Sequence, residues 1–182
     1  MKLLVTGASG FLGKYVVFEA LRRGFQVRAA IRHTSDEKRL PWRNSDNLEL
    51  IRTDLTQSEG IEDALKGVDA VVHLAAAKQG NYDIQYANTV TATENLLTAM
   101  VAEKIKRLIA VSTFSVFDYL HIPAGETIDE NSPIEPQPWQ RDVYAQTKLI
   151  QEKLFRDFEQ RNQGEVTILR PGIVYGKNNL WN

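Results

Sequence analysis

Apolar residues fall in short blocks along this chain, and the blocks alternate between two periods. Lys2 to Thr6 is a short apolar run that ends in glycines and predicts a strand. Phe11 to Arg23 has helical spacing, with Leu12, Val16 and Ala20 turned inward, and Gly24 stands where a helix closes in a left-handed cap. Phe25 to Ile31 predicts a second strand. Arg32 to Asn47 is polar and broken by Pro41, so it reads as a loop or irregular helix. Leu48 to Thr53 predicts a third strand. Ser58 is placed to N-cap a helix whose stripe is Ile61, Ala64 and Leu65, before Gly67. Asp69 to Leu74 predicts a fourth strand. Asn88 to Ala102 predicts a helix with Val90, Leu96, Leu97, Met100 and Val101 on its apolar side. Arg107 to Ser112 predicts a fifth strand. Residues 117–141 hold Gly125, Pro133, Pro136 and Pro138 and predict a long active-site loop, since long loops in compact domains are often functional. Asp142 to Asn162 predicts a helix that stops near Gly164, and Val166 to Leu169 a sixth strand.

Strands separated by helices specify a parallel α/β sheet covered on both faces, with right-handed crossovers. The 182 residues suffice for one domain with a sizeable core, since a chain of that size buries roughly 70% of its unfolded surface. Hydrophobic residues at 43% and charged residues at 25% are ordinary for a soluble globular protein. A net charge of -1 gives no pull toward nucleic acid or a membrane surface, and no basic, aromatic-interleaved patch is present. The absence of cysteine excludes disulfides, thiolate catalysis and cysteine-ligated metals. No run approaches the eighteen or so apolar residues of a membrane span, and the N-terminus reads as a strand entering a glycine loop rather than a signal peptide. A cytoplasmic setting is therefore the default expectation. His33, His73 and His121 are scattered, His73 sits in an apolar strand, and no metal site is expected.

The chemistry begins at Thr6-Gly-Ala-Ser-Gly-Phe-Leu-Gly13, with glycines at 7, 10 and 13 between a strand and a helix. That is the context of a dinucleotide fingerprint. One glycine permits the sharp turn, another lets the main chain approach a pyrophosphate, and Gly13 permits close helix–strand packing. The helix that follows points unpaired N–H groups at the phosphate. The spacing Gly-x-x-Gly-x-x-Gly differs from the commoner Gly-x-Gly-x-x-Gly and lacks the Gly-Lys-Ser/Thr ending of a nucleoside-triphosphate loop. The expected architecture is a Rossmann-type doubly wound parallel sheet.

NAD-binding units of this kind usually end the second strand on an acidic residue that holds the ribose 2′-OH. Here the strand ends Ala29-Ala-Ile-Arg-His33, with Arg32 in that region and Arg28 nearby. A guanidinium suits the 2′-phosphate of NADP, so NADP is preferred and NAD is the alternative. A solvated arginine at a strand end is the plain reading.

Tyr144-Ala-Gln-Thr-Lys148 opens the long helix and puts both side chains on one face. A nearby ammonium favours the phenolate, lowering the tyrosine from its usual value near 10 and equipping it to exchange a proton with a carbonyl or hydroxyl. Ser112, Thr113 and Ser115 lie at the carboxyl end of strand five, where ligands bind in open α/β sheets and a hydroxyl can hydrogen-bond the reacting oxygen; simple capping of the strand end is the alternative.

Taken in order, these segments resemble the extended short-chain dehydrogenase/reductase family, in the branch of nucleotide-sugar epimerases and dehydratases. Thr6 to Gly13, including Phe11 and Leu12, resembles the family's cofactor loop; Asp54-Leu55 resembles its adenine contact. His73-Leu74-Ala75-Ala76 resembles the strand-four segment beside the ribose, and Asn88 to Leu97 the helix that follows. Val111 to Phe117 resembles the Ser/Thr segment, with the active hydroxyl implied on Thr113 and Ser112 second. Asp129 to Pro133 and Tyr144-x-x-x-Lys148 resemble the loop and catalytic helix, and Leu169 to Gly176, with Pro171 and Ile173, the segment flanking the nicotinamide. The resemblance implies Tyr144 as general acid/base, Lys148 lowering its pKa and holding the nicotinamide ribose, Thr113 polarising the substrate oxygen, and a sugar nucleotide or small carbonyl or alcohol as substrate. Three departures stand out. Phe117-Asp118 replaces a frequent Tyr-Gly. The acidic residue of strand two is absent, although reductases of this branch also carry arginine there. And the chain stops at Asn182, before the C-terminal region in which relatives build most of the substrate site. The missing groups then belong to a longer form or come from a partner chain, as in a homodimer. Two functions follow: an NAD(P)-dependent oxidoreductase or isomerase, or a non-catalytic cofactor-binding module serving as redox sensor or assembly partner.

Overall fold

The computed structural model describes residues 1–177. Six parallel strands, β1 (Lys2–Thr6), β2 (Gln26–Ile31), β3 (Leu48–Arg52), β4 (Ala70–His73), β5 (Arg107–Val111) and β6 (Glu165–Leu169), form one sheet in the order β3-β2-β1-β4-β5-β6. This is the expected Rossmann-type, doubly wound arrangement. The chain runs outward from β1 to β3, then crosses to β4 on the other side of β1. The switch point therefore lies between β1 and β4, where Val5 pairs with Ala29 on one side and Val72 on the other. A crevice outside the carboxyl ends at such a point is where ligands bind.

Alternation along each strand builds two cores. Leu4, Val71, Leu108 and Ala110 face α2 (Ile61–Leu65), α4 (Ala92–Ala102) and α5 (Val143–Asn162), packing with Leu96, Met100, Phe155 and Phe158. Leu3, Val5, Val27, Ala29 and Val72 face α1 (Phe11–Arg22), packing with Val17 and Ala20. The polar connection after β2 contributes Leu40 and Trp42 to this second core, and the Trp42 indole donates to Lys14 O at 3.1 Å. That segment is thus anchored across α1 and carries a short 3-10 turn at Glu37–Arg39. α1 closes as its sequence predicts, with Phe25 N–H reaching back to Ala20 O and Gly24 N–H to Leu21 O.

Three local expectations are corrected. Gly60, in a left-handed conformation, caps α2 in place of Ser58. The helix expected from Asn88 begins six residues earlier: α3 (Tyr82–Tyr86) starts at Asn81, whose side chain accepts from Ile84 N–H at 3.0 Å, and runs through a π turn (Ala87–Thr91) into α4. Arg28 does not face the cofactor region. It is buried, donates to Ala64 O and Lys66 O at 2.8 Å each, and pairs with Glu49 at 3.0 Å. There it satisfies carbonyls at the end of α2, which the helix itself leaves without donors. The 117–141 loop is pinned at its base by an antiparallel bridge between Phe117 and Ile134. Among the described residues no helix is long and apolar enough to cross a membrane.

Candidate active site

β1 ends in a turn that only a bare backbone accommodates. Gly7 has φ +65, and a Cβ there would lie 2.9 Å from Ala75 N; a Cβ on Gly13 would lie 2.2 Å from Gly7 O. The glycine loop therefore packs directly on its own helix and on the end of β4. Gly10 N–H donates to Gly7 O at 2.9 Å, and no side chain caps the first turn of α1. Its free N–H groups, together with the helix dipole, make that end a place for an anion.

In front of this loop lies a cleft of about 640 Å³ at the switch point. Of the residues singled out from sequence, Gly7, Gly10, Arg32, Asp54, Leu55, Leu74, Ala75 and Ala76 line it. Phe11, Leu12 and Gly13 stand behind the loop in the first turn of α1, with Gly13 buried. The cleft also takes Ser9 and Asn88, which lie in segments the sequence singles out, and Lys78 and Gln79, which carried no sequence signal. Asp54 is held by Thr56, whose backbone N–H and hydroxyl donate to the same carboxylate oxygen at 3.0 and 2.8 Å, keeping the acid below its usual range, with Arg32 and His33 adding to the effect. Arg32 sits at the rim. Behind it Arg52 braces the loop, donating to His33 O at 3.1 Å and pairing with Glu37 at 3.0 Å.

The second half of the site is built where β5, β6 and α5 meet. Ser112 N–H donates to Leu169 O at 2.7 Å and Phe114 N–H to Pro171 O at 2.8 Å. These bonds hold the segment after β6, with its exposed Ile173, beside the Ser112-Thr113 turn. The Thr113 hydroxyl accepts from Ser115 N–H at 3.2 Å, while the buried Ser112 hydroxyl has no partner among the described residues. Asp142 caps α5 by accepting from Ala145 N–H at 2.8 Å. That cap sets the half-buried Tyr144 one residue inside the helix, near enough to Thr113 for the hydroxyl to act on its phenol. Lys78 reaches over from the cleft, its Nζ 5.8 Å from the Tyr144 ring centre. One turn further on, Lys148 is 2% exposed and donates to Val111 O at 2.8 Å and to the Gln151 side-chain oxygen.

The expected lowering of Tyr144 by Lys148 is not what this geometry does. Burial raises the phenol above its usual value; Thr113 opposes the rise and Asp142 adds to it. Burial instead acts on the amine, bringing Lys148 down to about 7, with Glu152 raising it and Lys78 lowering it. Tyr144 and Lys148 do share a helix face, but the ammonium turns toward the sheet. Two ion pairs fasten the surroundings. Arg170 binds Glu152 through both carboxylate oxygens at 2.9 and 2.8 Å and lies 4.9 Å from the Phe117 ring centre. Arg141 pairs with Glu135 at 3.0 Å, donates to Phe117 O and lies over Tyr119.

The model of the NAD dependent epimerase/dehydratase family matches residues 3–180. A 2-alkyl-3-oxoalkanoate reductase from Stenotrophomonas maltophilia is 33% identical over 97% of this chain and 52% of its own length. Cinnamoyl-CoA reductase 2 from Medicago truncatula is 26% identical over 94% of this chain and 53% of its own. Among solved structures, UDP-glucuronic acid 4-epimerase from Bacillus cereus in complex with NAD superposes with a TM-score of 0.80 at 26% identity, over 97% of this chain and 58% of that one. The chain spans about half the length of the curated relatives it matches.

Proposed function

The chain belongs to the NAD-dependent epimerase/dehydratase family, and from that premise we propose that it binds a nicotinamide dinucleotide in the switch-point cleft and reduces a carbonyl substrate, with Tyr144 as proton donor. The observation that carries this reading is the cleft in front of a bare glycine cradle, whose lining residue Lys78 reaches the Tyr144 ring beside Thr113. The cradle fits the group: Gly7 and Gly13 admit no side chain, and the first turn of α1 is uncapped. In this reading Gly7, Gly10, Phe11, Leu12 and Gly13 hold the pyrophosphate, Asp54 and Leu55 the adenine, and Leu74 to Ala76 the adjoining ribose. Lys148 holds the nicotinamide ribose, and Pro171 and Ile173 flank the ring. Arg32 takes the 2′-phosphate, so NADP is preferred to NAD.

When bound, the nicotinamide supplies the hydride. Tyr144, a phenol that is protonated at neutral pH at its ordinary value and is raised further by burial, has a proton to donate to an oxygen on which negative charge develops. Thr113 hydrogen-bonds the same oxygen, with Ser112 behind it. The proposed reaction runs in the direction of reduction, with Tyr144 giving its proton to the carbonyl oxygen. The names of the two curated relatives, both reductases, support the same direction, and the UDP-sugar epimerase supports a sugar nucleotide as the other substrate class.

Titration of the chain with NADPH and NADH, followed by nicotinamide fluorescence, tests the cofactor half. Tighter NADPH binding is expected; preference for NADH refutes the role given to Arg32, and binding of neither refutes the site. Turnover of a panel of carbonyl compounds and UDP-sugars with NADPH tests the other half. Tyr144→Phe should abolish turnover while leaving cofactor affinity near that of the unaltered chain. A rate unchanged in that variant refutes the proton-donor role.

A further inference from the structure

A buried hydrogen-bond chain runs from the glycine loop to Lys148, and counting donors assigns it in one way. Thr6 Oγ1 accepts from Leu74 N–H at 3.2 Å and Ala75 N–H at 3.4 Å, so its own proton goes to His73 Nδ1 at 2.7 Å. An accepting Nδ1 places the ring proton on Nε2, which donates to Thr93 Oγ1 at 3.0 Å. The Thr93 hydroxyl in turn donates to Thr89 O at 2.6 Å, a carbonyl within the π turn. Gln151 Nε2 donates to Thr93 Oγ1 at 2.7 Å. That bond fixes the amide with its oxygen toward Lys148 Nζ. In the flipped orientation the NH2 group would face the ammonium and the Thr93 oxygen would lose a donor. The 3.3 Å approach of Gln151 Nε2 to His73 Nε2 is then a contact between two donors, which the shared acceptor Thr93 holds together. Thr6, Thr93 and Gln151 have no exposed surface, so water does not offer substitutes.

We propose that Gln151 is a positioning residue for Lys148, orienting its Nζ from a hydrogen-bond chain that begins at Thr6 of the glycine loop. The inference rests on the reading that Lys148 belongs to the cofactor site. Val111 O and Gln151 Oε1 occupy two of the hydrogen-bonding positions of Nζ, leaving one for a ribose hydroxyl. The chain makes the phosphate-binding loop and the ribose-binding amine one connected unit: displacement of Thr6 is felt at His73, Thr93 and then Gln151. The charges acting on Lys148 from neighbouring elements are Glu152 on its own helix and Lys78 across the cleft.

Two NMR measurements on the 182-residue chain test this without activity. In the unaltered protein, nitrogen-15 spectra of the imidazoles should show His73 neutral with the proton on Nε2; the opposite tautomer overturns the chain of bonds. With carbon-13 at the lysine Cε positions, and Lys148→Met to identify the signal, Lys148 should titrate apart from the surface lysines. Gln151→Glu sets a carboxylate beside Nζ and should move that titration upward by about one pH unit or more; Gln151→Met removes the acceptor and should move it downward. Thr93→Val, which frees the amide to flip, should also shift it while leaving Lys148 and Gln151 in place. A Lys148 titration unchanged in all three folded variants overturns the proposal. Fluorescence titration with NADPH separates the outcomes: a chain that binds no cofactor refutes the site, whereas cofactor binding with an unmoved Lys148 refutes only the role of Gln151.

Discussion

Acidification should strike this fold first at His73, and the size of the effect follows from its surroundings. The ring is 1% exposed, accepts at Nδ1 and donates at Nε2, and so has no place for a second proton. Burial, with Lys148 adding repulsion, lowers it from 6.5 to about 3. Between those values the unfolded chain binds a proton that the folded chain refuses, so stability falls as pH drops through the window, and His73 takes nothing further below it. The window spans roughly 3.5 pH units, which at about 1.4 kcal/mol per unit corresponds to roughly 5 kcal/mol, and about 3 kcal/mol of it is lost by pH 4. For a domain whose whole stability is about 5–15 kcal/mol this is a large share. Urea unfolding at pH 7, 6, 5 and 4 measures it, with His73→Gln as the comparison because an amide can accept from Thr6 and donate to Thr93 without titrating. The gap between the two chains should narrow or reverse by about 3 kcal/mol from pH 7 to 4, a midpoint change of roughly 1–2 M at an m-value near 2 kcal/mol/M. His121, raised by Asp118, works in the opposite sense, but it is present in both chains and cancels. If both chains lose stability in parallel, the neutral, locked ring is wrong.

Three further outcomes are expected. Gly13→Ala places a methyl 2.2 Å from Gly7 O, so either α1 or the loop must move; thermal unfolding should show a loss of about 1–3 kcal/mol, with cofactor affinity falling as well. Arg170→Met removes the two-point partner of the 5% exposed Glu152 carboxylate and leaves it Arg156 at 3.9 Å, so chemical denaturation should register a cost of up to about 3–5 kcal/mol, which Arg170→Lys restores only in part because a lysine cannot make the two-point contact. Arg32→Ser should weaken NADPH binding about tenfold or more in the fluorescence titration while leaving NADH nearly unchanged; equal losses for both cofactors would remove the 2′-phosphate contact from the account.

The strands were legible because each is a short apolar run between glycines or polar turns, and burial on both faces requires little else. β1 and β5 fall within a residue of where the pattern puts them. The glycine loop and the Tyr144–Lys148 spacing were legible for the same reason, being local. The start of the helix at Tyr82 was not. The π turn at Ala87–Thr91 inserts an extra residue into the turn, so the apolar face of Val90, Leu96, Leu97 and Met100 does not continue in phase through Tyr82–Tyr86. Only Asn81, as a cap, marked the true beginning. Arg28 was misread because a strand residue's direction depends on what packs above it, here the carbonyl end of α2. Lys78 carried no signal at all, since its place in the cleft comes from the turn that follows β4 rather than from any spacing.

The polar residues of α5 show why pattern and function part company here. Tyr144, Lys148, Gln151 and Glu152 lie close to one face of the helix, and a hydrophobic stripe would be expected where they are buried. Three of them instead meet partners of their own: Val111 O for the amine, Thr93 for the amide and Arg170 for the carboxylate. Buried polar groups are tolerated when every one is satisfied, and then they hold their neighbours more tightly than apolar packing does. The partners come from β5, α4 and the end of β6, so this one face ties together three elements around Tyr144 and Lys148. A helix whose sequence is rich in polar and charged residues in this way holds one wall of the site through paired polar contacts.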